Sequence, residues 1–185
     1  MEKDSVQVVI ADDSDLIIRG IESLLLAHSR FSIAGTARHI RHLLDVAATV
    51  EADVIVMNEW FFNIDILTAI KQVREVTPET PLIIMGSLAD GLLMRDLVVM
   101  GVKGYLYKAD NLSDDLVPAL NAVVQGEHYL SPTARAEYVV ASEMWEAKKP
   151  PPLTDEMRLV LRLLTQGETV MRISQILDMK LKRVY

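Results

Sequence analysis

A doubly wound α/β domain built on a five-stranded parallel sheet, followed by a small all-α segment, is the fold class this sequence predicts. Three observations predict it. Five short apolar, mostly β-branched runs recur at Val6–Ala11, Phe31–Gly35, Asp53–Asn58, Leu82–Gly86 and Val102–Tyr107. Their near-continuous hydrophobicity, without polar alternation, suits strands buried on both faces of a parallel sheet. Stretches of helical period separate them, so strand and helix alternate. Finally, Pro150-Pro151-Pro152, after Lys148-Lys149, forms a stiff extended connector that no helix can cross, and it sets off a C-terminal segment of different charge.

The elements follow in order. The first strand ends in Asp12-Asp13, and Asp13 and Ser14 are N-cap candidates for a helix over Asp15–His28, where Leu16, Ile17, Gly20, Leu24 and Ala27 share a face. The second strand leads to a helix over His39–Val50, and the third leads through Glu59-Trp60-Phe61-Phe62 to Ile64–Val76. The fourth ends in Gly86-Ser87 before Gly91–Met100, and the fifth ends in Tyr107-Lys108 before Leu112–Gln125. This order implies right-handed βαβ crossovers, and in such sheets ligands collect at the carboxyl ends of the strands. The candidate pocket is therefore Asp12, Asp13, Asn58, Gly86, Ser87 and Lys108, with Tyr105 on the last strand.

Composition excludes several classes. The chain has 185 residues, 50% hydrophobic and 24% charged, the balance of a folded protein. It has no cysteine, which removes disulfides, thiolate zinc sites and cysteine nucleophiles. A net charge of −7 argues against a chain that is basic throughout and coats nucleic acid. No apolar run reaches the roughly 18–20 residues of a membrane span, and Met1-Glu2-Lys3-Asp4 does not start a signal peptide, so a cytoplasmic address without a membrane partner is expected. The four histidines have no metal-like partners, and no nucleophile–base pair supports an enzyme.

Four stretches carry a family resemblance: V-V-I-A-D-D-S at 8–14, A-D-V-I-V-M-N at 52–58, P-L-I-I-M-G-S at 81–87 and G-V-K-G-Y-L-Y-K at 101–108. Together they resemble the CheY-like receiver domain of two-component response regulators. The resemblance implies a strand-end aspartate that accepts a phosphoryl group from a histidine kinase. It also implies an acidic pair holding Mg²⁺, a Ser/Thr and a Lys on the phosphoryl oxygens, and an aromatic that reports the change.

This chain departs from that pattern where the chemistry is done. Asn58 stands at the phosphoacceptor position, and a neutral amide is a poor substitute for a carboxylate nucleophile. Removing one carboxylate at ~4 Å relieves on the order of a few kcal/mol of repulsion at an effective dielectric near 20. Mg²⁺ is therefore expected to bind weakly at Asp12 and Asp13, and no cofactor is required. Gly86 replaces the Ser/Thr, with Ser87 beside it, leaving room for Tyr105 to rest inward. Trp60, Phe61 and Phe62 replace the usual Pro-Gly loop; they read either as packing residues or as a loop for a protein partner or small ligand.

A helix is expected from Pro132, N-capped by Ser131, through Trp145. Beyond the prolines, segment 153–185 holds six Lys/Arg against four Asp/Glu. Its stretches L-T-x-x-x-R-x-V-L-R-L-L-x-Q-G at 153–167 and I-S-Q-I-L-D-M at 173–179 resemble the LuxR-type helix-turn-helix of the NarL/FixJ class. In that class Lys180, Lys182 and Arg183 would face DNA. The alternative is a small helical bundle with solvated basic residues. The sequence stops at Tyr185, about one turn into the recognition helix, so the motif is expected to be incomplete. The expected organisation is a receiver over 1–125, a linker helix and Pro-rich connector over 126–152, and the DNA-binding segment over 153–185. The expected function is a dimeric, DNA-binding transcription regulator controlled without aspartyl phosphorylation. The rival readings are a phosphorelay regulator carrying an Asp-to-Asn variant and a protein-docking receiver module.

Overall fold

The computed structural model describes residues 5–60, 64–148, 160, 163–164, 167–177 and 179–180. The chain divides into two compact units, Met1–Glu146 and Ala147–Tyr185. In the first, strands β1 (Val6–Ala11), β2 (Phe31–Ala37), β3 (Val54–Asn58), β4 (Leu82–Gly86) and β5 (Gly104–Tyr107) alternate with helices α1 (Asp15–Leu26), α2 (Ile40–Thr49), α3 (Ile66–Val76), α4 (Gly91–Val99) and α5 (Leu112–Val124). A sixth strand, β6 (Tyr129–Leu130), and helix α6 (Pro132–Lys148) follow. The sheet order is β2-β1-β3-β4-β5-β6, and every neighbouring pair is parallel.

The sheet therefore has six strands, where the sequence predicts five. Gly126, at φ 85°, ends α5 and turns the chain back. Tyr129 and Leu130 then pair with Gly104 and Tyr105. Two residues are too short to show a hydrophobic period, so this strand is invisible in the pattern. β2 also runs two residues beyond its predicted end at Gly35, after a register shift between Val8 and Val9.

Alternation along each strand feeds two cores. Val9, Ala11, Ile55, Met57, Leu82 and Ile84 pack with Leu43, Ile70 and Leu97 of α2, α3 and α4. Val8, Ile10, Val54, Val56, Ile83 and Met85 pack with Ile21, Leu25, Leu116 and Leu120 of α1 and α5. Because both faces are covered, the strands read as unbroken apolar runs. Ile55 is fully buried in the central strand β3. Ile55→Ala is expected to cost about 2–5 kcal/mol, read as a lowered urea midpoint at unchanged slope.

In the second unit, helix α7 (Val170–Ile176) is capped by Thr169, whose hydroxyl accepts from the Arg172 amide at 3.2 Å. Leu163 and Leu164 are helical, and Gly167, at φ 85°, turns the chain before α7. Val160 and Ile173 form a small core with Leu163, Val170, Leu177 and Met179 around them.

Candidate functional site

The carboxyl ends of β1, β3, β4 and β5 bring most of the predicted residues together. Asp12 and Asn58 are buried there, at 1% and 5% exposure. Asp12 accepts from the Ser14 amide at 2.8 Å, which shapes the turn into α1. Ser14 takes the N-cap position of α1 without a side-chain cap bond. Burial raises the Asp12 carboxyl above its ordinary value, a push opposed by the Ser14 amide and by Lys108. Lys108 Nζ lies 3.5 Å from Asp12 Oδ2 and 3.0 Å from Asn58 Oδ1.

Asn58 is held from both sides by groups of opposite kind. Its Nδ2 donates to Asp13 Oδ1 at 3.1 Å, while its Oδ1 accepts from Lys108 and, at 3.3 Å, from the Trp60 amide. An ammonium can only donate and a carboxylate can only accept, so the partners fix the amide's orientation. A carboxylate at this position could satisfy Lys108 and not Asp13.

β4 ends in a glycine, Gly86, and the space a side chain would fill there is taken. A Cβ there would overlap the Tyr105 hydroxyl and lie 2.7 Å from Glu59 Oε2. The Tyr105 ring is 1% exposed and turned inward, and its hydroxyl donates to the Leu88 carbonyl at 2.7 Å. Burial, with the negative Glu59 beside it, holds the phenol well above its ordinary pKa, so it stays a neutral donor. Glu59 is the functional candidate that sequence reasoning missed. Its amide donates to the Met85 carbonyl at 2.9 Å, extending the β3–β4 ladder by one residue. Its side chain is buried, and Oε2 accepts from the Ser87 amide at 2.8 Å and lies 3.4 Å from the Tyr105 hydroxyl. The available signal was an acid following an apolar strand directly, opposite a glycine with no side chain to fill the gap.

The family profile for the response regulator receiver domain matches residues 8–121. The chain belongs to the response regulator receiver family. The transcriptional regulatory protein YdfI of Bacillus subtilis (strain 168) is 28% identical over 163 residues, covering 87% of this chain and 76% of YdfI. DesR, a transcriptional regulatory protein of the same organism, is 24% identical over 175 residues, covering 95% of this chain and 82% of DesR. Among solved structures, the Salmonella typhimurium RcsB response regulator aligns with a TM-score of 0.69 at 20% identity, over 98% of this chain and 87% of RcsB. At that identity the likeness to RcsB carries the fold.

The remaining predicted residues lie at the rim of the receiver pocket, in the second unit or outside the described residues. Trp60 follows Glu59 and is 61% exposed, so it does not pack into the core. Phe61 and Phe62 lie outside the described residues, as do Lys182 and Arg183. Lys180 is exposed in the second unit. Among the described residues, no helix is long and apolar enough to cross a membrane.

The receiver is also tied to α6 through Asp110. Asp110 Oδ2 accepts from Ser131 Oγ at 2.7 Å and from the Thr133 amide at 3.0 Å, and Oδ1 accepts from Thr133 Oγ1 at 2.6 Å. Burial opposes ionisation here, but these hydrogen bonds outweigh it and hold the carboxyl below its usual value. A depressed carboxyl stabilises the fold above its unfolded pKa, and that stabilisation is lost as pH falls through the folded value. Asp110→Ala is expected to cost about 1 kcal/mol near neutrality and progressively less in acid, read from denaturation midpoints across that pH range.

Proposed function

We propose that this response regulator is a DNA-binding transcription regulator whose receiver is controlled without aspartyl phosphorylation, through dimerisation or a partner or ligand docking at the receiver. Asn58 carries this reading. It stands where the family's phosphoacceptor aspartate is expected, and its amide is bonded as an amide, donating to Asp13 and accepting from Lys108. It lacks the carboxylate oxygen that forms an acyl phosphate. Gly86 and Glu59 add support, since a single Asp-to-Asn change in an ordinary receiver would leave the neighbouring positions in their usual form.

Mg²⁺ fits the pocket poorly. Lys108 reaches both Asp12 and Asn58, and Asn58 turns a donor, not an oxygen, toward Asp13. That leaves two carboxylates beside an ammonium, where the ion favours carboxylate and phosphate oxygens. No cofactor is required in this reading.

The DNA-binding role is assigned to segment 153–185, the receiver to 1–125 and the linker to 126–152. Support comes from capped α7 following Gly167 and from the similarity to transcriptional regulatory proteins. RcsB has been solved in complex with DNA and as two dimers bound to two parallel DNAs. In a gel-shift titration of the intact regulator at about 50 and about 200 mM salt, affinity is expected to fall with salt. Adding a small phosphodonor with Mg²⁺ is expected to change nothing. A phosphodonor-dependent gain in affinity would contradict the control mechanism, and no binding at either salt would favour a docking module.

A further inference from the structure

We infer that Glu59 is a resident acceptor that holds the loop between β4 and α4 and, through that loop, keeps Tyr105 inward and fixes the seat of helix α6. The inference deepens the phosphorylation-independent reading and rests on it for its regulatory meaning, because it supplies from within the chain what a bound anion would otherwise have to supply.

The geometry is continuous from strand end to helix. The Glu59 backbone is fastened to β4 through the Met85 carbonyl, which aims its side chain across the end of that strand. There Oε2 takes the Ser87 amide at 2.8 Å, with the Tyr105 hydroxyl 3.4 Å away. The same hydroxyl donates to the Leu88 carbonyl at 2.7 Å, so the ring and the carboxylate grip the loop at two consecutive residues. A hydrogen bond to a carboxylate is roughly twice as strong as a neutral one, and a buried carboxylate that loses its donors is costly. The arrangement is therefore linked: Glu59 holds the loop at the Ser87 amide, which keeps the Leu88 carbonyl in place as the acceptor of the Tyr105 hydroxyl, and moving Tyr105 outward opens the space above Gly86.

Two residues beyond Leu88, the Asp90 carboxylate caps α4 through the Leu92 and Leu93 amides at 2.9 and 3.2 Å. Gly91 then lies directly against α6. A Cβ there would overlap the Glu137 carbonyl oxygen and sit 2.7 Å from the Ala141 methyl. One turn on, the Arg95 guanidinium stacks 3.9 Å from the centre of the Trp145 ring. A loop held by Glu59 and Tyr105 thus sets the start of α4, and the start of α4 sets α6.

Amide hydrogen exchange of the intact protein tests this with no DNA and no phosphodonor. In Glu59→Ala, the Ser87 amide is expected to exchange at least about tenfold faster, with faster exchange also across residues 88–93. Glu59→Gln keeps an oxygen but not the charge, and Ser87 exchange is expected to fall between wild type and Glu59→Ala. Unchanged protection of Ser87 in Glu59→Ala overturns the inference. If that variant does not fold, Glu59→Gln decides: a rise of about threefold or more supports the inference, and wild-type exchange overturns it. Phosphoryl labelling of the wild type would remove the phosphorylation-independent reading while leaving these exchange rates as they are, so the two failures are separable.

Discussion

Asn58→Asp is expected to destabilise the metal-free protein by about 1–3 kcal/mol, and Mg²⁺ is expected to restore stability to the variant but not to the wild type. The substitution replaces the amide that donates to Asp13 Oδ1 at 3.1 Å with a carboxylate. Two like charges about 4 Å apart repel by about 4 kcal/mol at an effective dielectric near 20. Lys108, already 3.0 Å from Asn58 Oδ1, recovers part of this. Asp13 also loses its donor; being only half-buried, it incurs part of the roughly 1–3 kcal/mol that a fully buried unmatched group costs. A third carboxylate, in turn, supplies the oxygen-rich donor set that Mg²⁺ prefers, and a ligand that binds only the native state stabilises it by mass action. Urea midpoints with and without millimolar Mg²⁺ check both halves. A variant as stable as the wild type without the ion would mean that the pocket is not built around an amide.

Gly86→Ala is expected to expel the Tyr105 ring from the interior. The added methyl would overlap the Tyr105 hydroxyl and crowd Glu59 Oε2 at 2.7 Å. Overpacking of this kind costs typically about 1–3 kcal/mol, and here the lowest-strain escape is rotation of the ring toward solvent. That rotation breaks the 2.7 Å bond to the Leu88 carbonyl. Fluorotyrosine NMR of the variant should show the Tyr105 resonance moving from a buried to a solvent-exposed environment, with a lowered denaturation midpoint. A buried Tyr105 at full stability would show that the space above Gly86 is not what seats the ring.

The sheet and its flanking helices were legible because both faces of each central strand are covered. Val8 and Val9, or Ile83 and Ile84, point to opposite cores, so each run stays apolar without interruption. β6 was not legible, because Tyr129 and Leu130 are strand only through pairing with Gly104 and Tyr105. The pocket's members were legible from the strand ends, since topology alone converges Asp12, Asn58 and Lys108. The role of Glu59 was not. An acid after a strand usually points to solvent, and only the empty volume above Gly86, together with the inward Tyr105, draws this one inside. The seat of α6 was also hidden: Gly91 reads as an ordinary helix start until Glu137 and Ala141 are placed against it.

The most direct test is the intact mass of the wild-type chain after incubation with a small phosphodonor and Mg²⁺, kept in neutral buffer so that acyl phosphates survive. The account predicts an unchanged mass. An added phosphoryl group, mapped by peptide analysis to the carboxyl end of β3, would contradict it.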